Sequence, residues 1–419
     1  MEILSTGEKI KRARIYRGIT LKELCNDKIS ISKMSCIENG KVKADEEILR
    51  YVSNIIGLDY EYISKDVYDQ IIENIDVFEK EEVLNASLEK DIKLNLDYAV
   101  GYEYYELAFK LIHKLFNCYL DNNKKDEILD IIPKYYDLYR RNNSEENTII
   151  YFKDMANYFY KIKEYSEART YYSRVIEILE KDNNNKESEL YCYIVYREGM
   201  CLLKCNEYDE AEKYLKIAKE LLSNIKDNEI VSKIHYANNI IGILNNNVDA
   251  LDIKKSCDFL KDTTRIASFK LDYAEAYFII DKEEEALREI DEAIEMLSQD
   301  FTYEIGEVYI QCANILKNNG KIEFAEELAD KALNIAIEIN HIILIEKSYY
   351  LKGILLQKQN RFREAELYMN LSLDSLVKFG TKNDLYKRYI DIANMYHKTQ
   401  EIQDSIKYFT LAMNIKKKI

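Results

Sequence analysis

The chain has 419 residues, room for two or three domains or one long repeat array, and 47% of them are hydrophobic. One proline, eleven glycines and no tryptophan leave few helix breakers among 32% charged residues, which argues against an all-β or α/β fold. The net charge of −15 is unevenly spread: Met1 to Lys43 carries ten basic against five acidic residues, +5, so the remainder carries −20, the asymmetry of a small nucleic-acid-facing head on an acidic body.

The spacing of Ile10, Ala13 and Arg14 predicts a first helix over 7–17, stopped by Gly18. Thr20 then caps a short second helix over 21–26, with Glu23 three residues on completing a capping box. After a turn at Lys28 and Ile29, Ser30 caps a third helix over 31–38. Met34 and Ile37 face inward on it, while Ser32, Lys33 and Cys36 face out, and Asn39-Gly40 ends it. Two short helices joined by a turn, the second with a polar outer face, suit a reader of the major groove.

Gly7, Ile10, Arg14, Thr20, Leu24, Ser35, Ile37, Glu38 and Gly40 resemble the Xre/phage-repressor helix-turn-helix. That resemblance implies a structural ion pair between Arg14 and Glu38. Leu21 and Cys36 stand where the family often has glutamine and arginine. The candidates for base edges are Ile31, Ser32 and Lys33, and those for phosphates are Thr20, Lys22, Asn39, Lys41 and Lys43. The domain should cover 1–58, followed by a helical connector over 59–97.

Beyond it, small residues recur after short polar turns: Ala168, Ala211, Ala250, Ala286, Ala325 and Ala365, spaced 43, 39, 36, 39 and 40 apart, with Ser405 a further 40 on. Twelve residues before each lies another small position, Ala156, Gly199, Ala274, Ala313, Gly353 and Ala393, with Asn238 the exception. This period resembles the tetratricopeptide repeat and predicts seven helical hairpins over 144–419, with an irregular one over 98–141 around Pro133. The fold class expected is therefore all-α, a helix-turn-helix followed over 98–419 by a right-handed tetratricopeptide-like α-solenoid that also serves dimerisation.

Counting the turn alanine as position 20, position 9 of successive first helices is Asn157, Met200, Asn239, Glu275, Asn314, Ile354 and Asn394. In the tetratricopeptide repeat that position points into the concave groove, where an asparagine can bond the N–H and C=O of an extended peptide at once. Lys153, Tyr160, Tyr196, His235, Gln311, Lys317, Tyr350 and Gln357 are placed beside it. The candidate peptide-binding set is therefore these eight with Asn157, Asn239, Asn314 and Asn394.

No H-E-x-x-H, phosphate-binding glycine loop or C-x-x-C occurs, and the four histidines are dispersed, so neither metal, cofactor nor catalysis is expected. The eight cysteines are scattered through apolar stretches and read as reduced. No signal-like apolar segment opens the chain and nowhere do 18 apolar residues run together, which points to the cytoplasm and away from membranes.

A repressor-type head followed by a tetratricopeptide-like array is similar to the RRNPP family of cytosolic peptide receptors, with Thr20 to Gly40 closest to its PlcR-type members and the two-part plan to its RstA-like ones. The resemblance implies a homodimeric transcriptional regulator that binds promoter DNA, at inverted half-sites, and a short signalling peptide, controlling processes such as sporulation or virulence. The alternatives carried from the residues are a Rap-like modulator of a response regulator, for which the connector's only glutamine is Gln70, and a protein-binding scaffold.

Overall fold

The computed structural model describes residues 3–81, 84–181, 186–247, 250–298 and 300–417, with the side chains of 250–252 outside the description. Among the described residues there are 23 α-helices and no strand. The chain divides into two compact units, Met1–Lys186 and Glu187–Ile419.

The first unit opens with five helices, α1 (Thr6–Tyr16), α2 (Leu21–Cys25), α3 (Ile31–Glu38), α4 (Glu46–Ile56) and α5 (Tyr60–Ser64). Their N-termini are made by side chains, since Ser5, Thr20, Ser30, Asp45 and Asp59 each accept a backbone N–H that the helix leaves unbonded. Ile10, Leu24, Met34, Ile37, Val52, Ile56 and Ile63 form one core. Ile63 belongs to it, so the head runs five residues past the expected boundary at 58.

Six longer helices follow: α6 (Val67–Lys80), α7 (Ala86–Gly101), α8 (Tyr105–Asp121), α9 (Lys125–Arg141), α10 (Glu145–Lys161) and α11 (Tyr165–Leu179). They share a core built on Phe78, Ile92, Phe116, Tyr119 and Tyr135. Ile3 lies in this core and not in the head's. Next to it Gln70 clasps the backbone of Leu4, accepting its N–H at 3.3 Å and donating to its carbonyl at 2.8 Å. α8 and α9 form the hairpin expected around Pro133, and α9 continues through that proline. Proline costs one N–H bond to Leu129, and both residues lie on the exposed side, so the freed carbonyl meets water.

Glu89 on α7 accepts from Lys93 at 2.7 Å, from Tyr119 at 2.8 Å and from Lys124 at 2.7 Å. The two ammonium donors, Lys124 first, hold its carboxyl down at about 2. A carboxylate depressed in the folded state contributes stability that is complete above its unfolded value, near 4.5, and is lost as pH falls toward about 2. Amide protection in α7 and α8, relative to the intrinsic exchange rate at each pH, should therefore fall between pH 4.5 and about 2. Glu89→Gln should flatten that dependence, and an unaltered acid profile would exclude the assignment.

The second unit is six hairpins: α12 (Glu189–Lys204) with α13 (Tyr208–Glu220), α14 (Asn228–Leu244) with α15 (Ala250–Asp258), α16 (Thr263–Ile279) with α17 (Glu283–Glu295), α18 (Tyr303–Asn318) with α19 (Ile322–Glu338), α20 (Ile342–Lys358) with α21 (Phe362–Leu376), and α22 (Lys382–Lys398) with α23 (Ile402–Lys416). With α10 and α11 these are the seven hairpins that the alanine period predicts. Ala168, Ala211, Ala286, Ala325 and Ala365 are wholly buried, while the side chain of Ala250 lies outside the described residues. A Cβ on Gly199 would come within 2.7 Å of Leu215, and one on Gly353 within 2.8 Å of Met369, which is why small residues recur where the paired helices touch.

The turns repeat too. Lys163, Asn206, Asp281, Gly320, Asn360 and Gln400, five residues before six of the seven small positions, take left-handed φ between +59° and +78°. The next residue's N–H then bonds back five residues, at 2.9 Å in all six turns, as from Glu164 to Phe159 or Arg361 to Leu356.

Candidate functional site

The outer face of α3 is fixed from behind. Met34 and Ile37 are buried, and Glu38, only 4% exposed, receives Arg14 Nε at 2.6 Å and Nη2 at 2.9 Å, while Arg14 Nη1 bonds the Ile19 carbonyl at 2.9 Å. This two-pronged pair ties α1 to the end of α3 and to the chain entering α2. Gly7 is required by the same junction, since a Cβ there would sit 2.2 Å from the Ile37 carbonyl oxygen.

With the helix so held, Ile31, Ser32 and Lys33 are exposed together on its first turn, and Lys22, Lys41 and Lys43 are exposed around it. The lysines remain available: Lys33 meets Asp45 only at 3.5 Å and Lys43 meets Asp66 only at 3.8 Å, both solvent-screened surface pairs. Two phosphate candidates have internal duties. Thr20 gives its hydroxyl to Glu23 in the cap, and Asn39 donates to the Ser35 carbonyl at 2.8 Å while accepting from Lys11. Lys9, counted in the basic head, faces inward: it is 2% exposed and donates to the Tyr62 and Lys65 carbonyls, both at 2.7 Å, and burial pushes its pKa down. It adds no charge to the outer face.

The repeat candidates divide between the two units. In the first, Asn157 accepts from the Tyr172 hydroxyl at 2.6 Å, Tyr160 packs edge-on to Tyr165, and Lys153 opens onto a cavity beside α8. In the second, Asn239 corrects the expectation of a groove-facing amide. It is 2% exposed and donates to the Tyr273 hydroxyl, which donates in turn to Ser256, so its amide joins hairpins instead of meeting a ligand. Tyr196 is likewise buried, and His235 stacks on Phe259.

Asn314 remains at the surface of α18, donating to its own helix and accepting from Lys317 at 2.6 Å. Burial, and Lys358 beside it, lower the pKa of Lys317. Lys358 donates to the Lys317 carbonyl at 3.2 Å, which brings the Gln357 end of α20 alongside. Gln311 and Asn394 are exposed. Tyr350 gives its hydroxyl to Asp391 at 2.9 Å and lies under the Arg388 guanidinium, 3.5 Å from the ring centroid. The sequence pattern does not single out Arg388 or Glu346, because their pairing spans 42 residues and two hairpins.

No family model matches the chain. In sequence it is similar to the transcriptional activator NprA of Geobacillus stearothermophilus, 22% identical over 317 residues, which are 65% of this chain and 77% of that protein. Solved structures similar to it include the apo quorum sensor NprR from B. thuringiensis, 12% identical over 84% of this chain and 99% of that one, TM-score 0.43. Another is a Rap protein complexed with competence and sporulation factor, 13% identical over 84% and 97%, TM-score 0.45. No described helix is long and apolar enough to cross a membrane. The activator relative and the all-helical hairpin architecture support the likeness drawn from the head and the repeat period, that to the tetratricopeptide-like regulators of the RRNPP family.

Proposed function

We propose that the chain is a cytosolic transcriptional regulator that binds promoter DNA through α3, as a homodimer on inverted half-sites, and takes a short signalling peptide on its repeat helices. The observation that carries this reading is the face of Ile31, Ser32 and Lys33, presented on a helix whose rear is locked by Arg14 and Glu38. Its supports are the transcriptional activator among its relatives and, for the dimer, the apolar stripe of Ile402, Ile406 and Met413 exposed on α23. One helix of eight residues reads too few bases for selectivity unless two half-sites combine.

Selection of bound sequences from a random duplex pool, followed by salt titration, tests it. Lys33→Ala should broaden the selected motif. Lys41→Ala should weaken all duplexes alike and lower the salt slope by about one. No enriched motif, or a single half-site bound by a monomer, would remove the reading. The rival, a response-regulator modulator acting through Gln70, has less support, since both ends of that amide are already engaged with Leu4.

A further inference from the structure

A cavity of about 390 Å³ opens between α6, α8 and α10, within the range of ligand pockets. One side is apolar, made by Ile75, Phe78 and Leu111, and the other carries Lys110, Lys114 and Lys153 with Glu79 as the single lining acid among the described residues. Lys110 shares its charge with exposed Glu106 at 3.0 Å, and Lys114 bonds the Glu81 carbonyl. Among the described residues no carboxylate lies within 4 Å of Lys153.

His113 also lines the cavity, and its orientation is set from beneath. Its Nδ1 lies 2.6 Å from Oδ2 of Asp154, a wholly buried carboxylate that also accepts the Tyr135 hydroxyl at 2.7 Å and Asn117 Nδ2 at 3.3 Å. Burial pushes the Tyr135 hydroxyl well up, so it stays a donor. The carboxylate therefore acts as acceptor to the ring N–H as well, which holds the proton on Nδ1 and leaves Nε2 as the free ring position. A cation cluster and an imidazole facing an apolar wall match a molecule that is anionic at one end and greasy at the other. Inorganic phosphate would leave the wall unused, and a neutral apolar molecule would leave the lysines unused.

We propose that this cavity binds a small organic acid, its carboxylate among Lys110, Lys114, Lys153 and His113 and its apolar tail against Phe78, Ile75 and Leu111. The site stands apart from the DNA-binding reading, and of the peptide candidates it includes only Lys153.

The full chain titrated with 4-methylpentanoate, by calorimetry or ligand-observed NMR, should show saturable binding at concentrations of order 10 mM or below. The matching amide, 4-methylpentanamide, should bind at least about tenfold more weakly, and Lys153→Glu should weaken the acid at least about tenfold while Lys153→Arg restores it. Lys153 is half-buried at the surface of α10, so neither change threatens the core. N-acetylglycylleucine binding as tightly as the acid would support the proposal with a peptide terminus as the source. Binding of the free acid alone would support it with a metabolite as the source. Equal affinity for acid and amide, an unchanged Lys153→Glu variant, phosphate competing as well as the acid, or no saturable binding would each overturn it.

Discussion

Replacing Glu38 with alanine should destabilise the head by about 3 kcal/mol, at the low end of the 3–5 kcal/mol range for breaking a buried pair. The low end applies because Arg14 is 13% exposed and keeps its bond to the Ile19 carbonyl, so the stranded guanidinium is not left wholly unsolvated or unbonded. Hydrogen exchange on the full chain should show α1 and α3 opening faster while α8 and α10 stay protected, since the two cores of the first unit share no residue. Unchanged protection of α3 together with lost base selectivity would make Glu38 a DNA contact instead.

Arg388→Ala should cost the second unit about 3–5 kcal/mol. Glu346 on α20 is 6% exposed and receives Arg388 Nη1 at 2.7 Å and the Ser372 hydroxyl at 2.8 Å. Without the guanidinium, one hydroxyl is left to offset a buried carboxylate. The stacked Tyr350 ring loses its cover in the same change. Denaturant unfolding measures the effect. The double variant Arg388→Met, Glu346→Met should recover most of the stability, because a pair of matched apolar side chains has no charge to desolvate. Stability of Arg388→Ala within about 1 kcal/mol of the parent would show that the pair contributes little.

What the sequence makes legible is local or periodic. Caps at Thr20 and Ser30 determine where α2 and α3 begin because the capping oxygen and the N–H it receives are three residues apart. The turn alanines reveal the hairpins because every repeat must bring its paired helices equally close. The direction of the position-9 asparagines is not legible in this way. Asn239 turns inward because Tyr273, 34 residues away, offers it a buried hydroxyl, and Asn394 stays out in the same repeat register. Nor does any periodicity announce that His113 meets Asp154 across 41 residues, or that Gln70 meets Leu4 across 66. Such contacts are made by the stacking of elements, which composition and spacing constrain only in outline.

The clasp on Leu4 has a mechanical consequence. A domain tethered by one covalent linker keeps three rotational freedoms, whereas this head is attached at both of its chain ends: through Ile3 and Leu4 into the core around α6, and through the short step from α5 to α6. Two anchors leave a single axis, the line joining them. Lys9 on α1, bonded to the carbonyls of Tyr62 and Lys65, stiffens the second of these attachments where α5 leads into α6. A shift of α6 is then carried toward α3 through both attachments at once, with rotation about that line the one freedom left to the head.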